Sequence, residues 1–76
     1  MSSWNYRVVK SIYYIDEICE DEYSIHEVYY DDNGNISTWN HNIAKPFGVS
    51  EKTLKADLEA MLEAFNKPIL EENIFF

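Results

Sequence analysis

From Trp4 to Ile15 the chain reads WNYRVVKSIYYI, dense in aromatic and β-branched residues and free of Gly and Pro, which is the composition of a β-strand. An acidic connector over residues 16–22 is expected to end it, and a second strand to occupy residues 23–30. Asp31-Asp32-Asn33-Gly34-Asn35 follows, and its Asn-Gly pair suits a tight hairpin turn in which both central positions take positive φ. A third strand, residues 36–41, should pair antiparallel to the second. Lys45-Pro46-Phe47-Gly48 breaks the alternation and turns the chain toward a helix.

That helix is announced by Leu54, Leu58, Met61, Leu62 and Phe65, which fall at i, i+4, i+7, i+8 and i+11 as one apolar stripe. Ser50 is placed to accept from an orphan amide of the first turn, and Glu51 complements the positive end of the helix dipole. Val49 and Leu54 are spaced as a hydrophobic staple, with Thr53 standing where a full capping box would have Glu. Asn66 is a candidate left-handed cap, and Pro68 forbids continuation.

Strand alternation puts Trp4, Tyr6 and Val8 on one face of the first strand and Ser24, His26, Val28 and Tyr30 on one face of the second. Val9, Ile25, Tyr29 and, depending on register, Trp39 or Ile36 point the other way. One helix covers one face of a sheet, so the second face needs its own cover. The apolar tail with Ile69, Leu70, Ile74, Phe75 and Phe76 would serve, and so would a second copy in a homodimer, the favoured option. The expected fold is α+β: a three-stranded antiparallel sheet (β-β-β-α) with the amphipathic helix packed on one face. Residues 1–76 form a single domain, with 69–76 as a docked or flexible tail.

Charge sharpens this outline. The net charge is −8, and residues 11–44 hold eight acids and no Lys or Arg, so they carry all of it. Such a surface repels nucleic acid and anionic membranes and steers basic partners. The 76 residues, 46% hydrophobic and 26% charged, describe one small globular domain that is marginal without added burial. A lone cysteine, Cys19, forms no internal disulfide, and no signal-peptide core or membrane-length apolar run is present, which together point to a cytoplasmic location.

Candidate chemistry is sparse. The segment from Asp31 to Ile36 resembles part of a calcium loop, but Tyr29 and Asn40 would fill positions that need carboxylates, so a hairpin turn is favoured. Cys19 sits among acids that disfavour a thiolate, and Cys19, His26 and His41 lack zinc-ligand spacing. Two glycines supply no phosphate-binding loop. No catalytic, metal or cofactor residue is assigned, and no cofactor is implied. His26 is expected on a sheet face with a partner such as Tyr30 or a strand-three side chain.

The remaining signal is a partner surface. Its candidates are the acids Asp16, Glu17, Glu20, Asp21 and Glu22 at one end of the second strand and Asp31 and Asp32 at the other, with Glu27, Tyr29, Tyr30 and Trp39 between them.

Trp4-Asn5-Tyr6-Arg7-Val8, Ile25-His26-Glu27-Val28-Tyr29-Tyr30-Asp31, the Asn33-Gly34 turn, Pro46-Phe47-Gly48-Val49-Ser50 and the segment Leu54 to Pro68 resemble, over most of the chain, a group of small bacterial single-domain proteins with no assigned activity. Residues 23–65 bear a weaker likeness to the HicB-type antitoxin domain, in which strands lead through a Pro/Gly/Ser-Thr turn into an amphipathic helix. That likeness implies toxin-type protein binding. A final strand and a DNA-binding segment are not evident in this sequence. The expected function is a non-enzymatic acidic protein-interaction module with a basic protein as partner, binding neither nucleic acid nor membrane. An inhibitor or antitoxin-like protein, including a nucleic-acid mimic that blocks a basic enzyme, is the alternative. A small hydrolase or ligand-binding domain using His26 ranks behind both.

Overall fold

A computed structural model describes residues 3–75 of the chain. Strand β1 (Ser3–Ile15) folds back onto β2 (Ile18–Tyr30) through a turn of only two residues, Asp16 and Glu17. Asp16 takes φ +56°, a region that Asp tolerates because its short polar side chain bonds locally. Pairing is continuous from Ser3 opposite Tyr30 to Ile15 opposite Ile18. The expected connector 16–22 is therefore strand from Ile18 onward. Cys19, Glu20, Asp21 and Glu22 pair with the strand-prone run from Tyr14 back to Ser11, and cross-strand pairing overrides their weak β propensity.

The next turn also differs from expectation. Gly34 has φ +81° while Asn33 keeps an ordinary negative φ, so a three-residue loop with glycine in the left-handed position replaces the two-residue form. The Asp31 carboxylate decides this by accepting from the amides of Asn33 (2.9 Å) and Asn35 (3.0 Å), while Asp31 N donates to Asn35 O (2.8 Å). Strand β3 (Ile36–Trp39) pairs with β2, Val28 opposite Trp39, and ends before His41. There the Asn40 side-chain oxygen accepts from Asn42 N (3.0 Å) and bends the chain. Asn40 N to Glu27 O (2.9 Å) and Ala44 N to Ile25 O (2.8 Å) keep the departing segment on the edge of β2.

Helix α1 (Glu51–Leu62) starts behind Ser50 as its sequence indicates. The Ser50 hydroxyl accepts from Thr53 N (3.2 Å), and the Thr53 hydroxyl accepts from Ser50 N (3.0 Å), so Thr completes the capping box that normally uses Glu. A 3₁₀ turn over Glu63–Asn66 follows. Asn66 does not adopt the left-handed cap: the chain leaves through extended Lys67, the conformation that Pro68 imposes on its predecessor.

Residues beyond Pro68 form a fourth strand, β4 (Leu70–Phe75), parallel to β1 with Val9 opposite Leu70. The sheet order is β3-β2-β1-β4. The fold is thus α+β with a mixed four-stranded sheet, which corrects both the three-stranded antiparallel expectation and the reading of 69–76 as a tail. Because β3 and β4 run in the same direction, the helix is the crossover between them, a connection long enough to reach the far edge of the sheet. Phe76 and the side chains of Ile74 and Phe75 lie outside the described residues.

The register puts even residues of β1 with odd residues of β2. Ile25 and Tyr29 accordingly share the helix-side face with Trp4, Tyr6 and Val8, while Val9 joins Ser24, His26, Val28 and Tyr30; the two-residue turn sets this parity and reverses the grouping expected from the separate strands. On the helix side Tyr6, Val8, Met61 and Ala64 form the core, with Ile25 and Ala44 against it. The helix is turned by one residue, about 100°, from the stripe expected to pack. Met61 and Ala64 are buried, whereas Leu58, Leu62 and Phe65 are 48%, 66% and 65% exposed.

Candidate functional site

The acids occupy two ends of a long hairpin. Asp16 and Glu17 form its tip, with Glu20, Asp21 and Glu22 exposed just behind, and Asp31 and Asp32 lie in the opposite turn. Thirteen strand residues separate the Glu17 tip from Asp31, about 40 Å at roughly 3.3 Å each, and the eight residues 23–30 separate Glu22 from it, about 26 Å. Asp21 is 3.9 Å from Lys10 Nζ, a surface pair of little energetic weight. The aromatic and acidic candidates between the ends divide by face: Glu27 and Tyr29 on the helix side, Tyr30 and Trp39 on the other. The eleven candidate positions therefore do not converge on one point.

Apart from Met61, the helix stripe that sequence reasoning placed in the core lies on the surface. Leu54, Leu58, Leu62 and Phe65 present an apolar row along α1, and Phe65 and Ile69 meet Val8, Tyr23 and Ile25 around a cavity of about 360 Å³. This row leads from the helix to Tyr23, beside the acidic stretch Glu20 to Glu22. Its periodicity was visible in the sequence, but which side of the helix faces the sheet was not.

A second cleft, of about 610 Å³, opens between α1 and the sheet, with Trp4, Tyr6, Glu27, Phe47, Ala56, Asp57 and Ala60 among its walls. Tyr6 OH donates to Asp57 Oδ1 (2.6 Å), and Phe47 N donates to Asp57 Oδ2 (2.9 Å). Burial, followed by the hydrogen bond to Asp57 and the nearby negative charge, pushes the Tyr6 hydroxyl up to about 12. Trp4 meets Tyr6 in a T-shaped contact with ring centroids 5.1 Å apart.

The far face of the sheet holds a polar network. Arg7 is 8% exposed, its two terminal nitrogens donating to Tyr30 OH (2.8 Å) and Pro68 O (2.6 Å), and Tyr30 OH donates to Asn5 Oδ1 (2.9 Å). His26 bonds Asn40 O through Nδ1 (2.8 Å) and Ser24 Oγ through Nε2 (2.8 Å), partners other than the Tyr30 or strand-three side chain expected. Because a carbonyl only accepts, Nδ1 carries the proton, and in the neutral ring the Ser24 hydroxyl donates to Nε2. Strand register puts the Ser24 side chain on the face of Val9, while Ser24 also borders the cavity lined by Val8, Ile25 and Phe65. His41 Nδ1 approaches Glu72 Oε1 (3.8 Å), which carries the loop after β3 across this face toward β4.

No protein-family model matches the chain, and no curated protein or solved structure is significantly similar to it.

Among the described residues no group of three or more His, Cys, Asp and Glu side chains is arranged to hold a metal ion, and no helix is long and apolar enough to cross a membrane. Cys19 is exposed opposite Tyr14, whose hydroxyl it pushes above its ordinary value through charge and a hydrogen bond.

Proposed function

We propose that this chain is a non-enzymatic, acidic protein-interaction module that binds a basic protein. The observation that carries the reading is surplus surface. A folded monomer of 9.0 kDa exposes about 4,900 Å², and this one exposes 5893 Å². Its radius of gyration is 14.3 Å against about 11.4 Å for a compact chain of this length. The excess, about 1,000 Å², is close to what one partner buries in a standard protein interface. The exposed row on α1 supplies apolar contact, and the neighbouring hairpin carboxylates supply steering toward a basic surface. A second copy would meet the same area requirement but would bring a like-charged hairpin with it.

The antitoxin-like alternative is favoured by one feature, β4, since the absence of a final strand was one of two departures from that domain, the other being the lack of a DNA-binding segment, and a strand follows the helix here. The test is affinity capture at low and high salt with the wild type and with Leu58→Asp, run beside sedimentation of the free protein. The proposal expects a basic protein held at low salt, released at high salt and not held by Leu58→Asp. Displacement of that protein by nucleic acid would move the inhibitor reading to first place. A stable dimer that retains nothing would overturn both.

A further inference from the structure

The geometry points to the cleft between α1 and the sheet as a binding site for an arginine side chain of a protein partner, held by Trp4 and by the Glu27 and Asp57 carboxylates. This deepens the reading of the partner as basic and rests on it. The space exists because the helix presents Ala56 and Ala60 where larger side chains would close it, leaving about 610 Å³. One wall is aromatic: Trp4 is 52% exposed and keeps ring surface free beyond its contact with Tyr6.

The polar groups are carboxylates that have no ion-pair partner among the described residues. Glu27 receives only a 3.4 Å contact from Asn40 Nδ2, and the Asp57 oxygens each accept from one neutral donor. Among the described residues no Lys, Arg or His nitrogen lies within 4 Å of either carboxylate, and Lys45, which also borders the cleft, pairs with neither. Carboxylates beside an open indole face select a cation. A guanidinium meets both features at once, because it is planar enough to stack on Trp4, forked enough to reach a carboxylate, and less strongly hydrated than an ammonium.

The experiment is an NMR titration of the intact chain with N-acetyl-arginine methylamide, its neutral citrulline counterpart and its lysine counterpart. The Trp4 indole N–H is the reporter, and Trp39, on the opposite face, is the internal reference. The arginine compound is expected to shift Trp4 and leave Trp39 in place, the citrulline compound to shift neither, and the lysine compound to bind more weakly. Glu27→Gln, which disturbs no short contact, should weaken arginine binding about threefold. Equal shifts with citrulline, no shift with arginine, equal binding of lysine, or an unchanged affinity in Glu27→Gln would each overturn the assignment. Salt-dependent capture of a basic protein through the hairpin and the α1 row would survive that result, and the titration needs no partner, so the two readings fail separately.

Discussion

Tyr6 on β1 and Asp57 on α1, 51 residues apart in the chain, are joined by a 2.6 Å hydrogen bond that sets the rotation of the helix on the sheet. The other Asp57 oxygen accepts from Phe47 N, so one carboxylate ties the helix both to the sheet and to the loop that leads into it. Tyr6→Phe keeps the ring and removes the donor. It should lower stability by about 1.5–3 kcal/mol at neutral pH, the range for a hydrogen bond to a charged group, as read from urea unfolding with an unchanged slope.

The same bond makes stability depend on pH at the alkaline end. The Tyr6 hydroxyl stands at about 12 in the fold and at 10.0 as a free side chain, so the folded state holds this proton more tightly. Its contribution is complete below pH 10 and is lost as pH rises from 10 to 12, where the unfolded chain ionises first. Other tyrosines and lysines titrate in the same window, so the quantity to measure is the stability difference between wild type and Tyr6→Phe. That difference should shrink across pH 10–12, and a constant difference would refute the linkage.

The strand and helix segments were legible because they rest on local signals: the aromatic and β-branched run of β1, the Asn-Gly turn and the Ser50 cap. What escaped was tertiary. Residues 16–22 looked like a connector because Glu and Asp are poor strand formers, yet Tyr14 opposite Cys19 extends the ladder to a two-residue turn. Residues 70–75 looked like a tail because Glu71, Glu72 and Asn73 interrupt any alternation, and only the parallel partner β1 makes them a strand. The acidic hairpin was visible as charge, whereas the cleft was not, because it depends on Trp4, Glu27 and Asp57 meeting from three elements.

The rotation of α1 gives a paired test. Met61 is 6% exposed against Tyr6 and Val8, and Met61→Ala should cost about 2–4 kcal/mol, the usual penalty for emptying a core site. Leu58, three residues earlier, faces solvent, and Leu58→Asp should change stability by no more than about 0.5 kcal/mol while abolishing partner capture. Had the expected stripe been packed along its Leu54-Leu58-Leu62 side, Leu58→Asp would be strongly destabilising as well.

Two glycines should respond differently to alanine. At Gly34 a Cβ meets open space, and the cost comes only from φ +81°, about 1 kcal/mol. At Gly48 a Cβ would collide with the Leu54 backbone nitrogen and crowd the Thr53 hydroxyl. The helix start must then shift, so Gly48→Ala should be the more destabilising, by about 2 kcal/mol or more, with weaker amide protection over the first turn of α1.

Arg7 predicts a link between the hairpin and the last strand. Its guanidinium is buried and, among the described residues, meets no carboxylate; it reaches Tyr30 OH on one side and Pro68 O, at the entry to β4, on the other. One ammonium cannot span both acceptors, so Arg7→Lys leaves a buried cation with half its partners and should cost about 2–4 kcal/mol. Arg7→Met gives up both bonds but buries no charge, and should be the milder substitution. If the Pro68 contact holds β4 in register, Arg7→Lys will speed amide hydrogen exchange across residues 70–75 more than across residues 24–28, because β4 has β1 as its only strand neighbour while β2 is held on both sides. Equal acceleration in both strands would show that Arg7 acts on global stability alone.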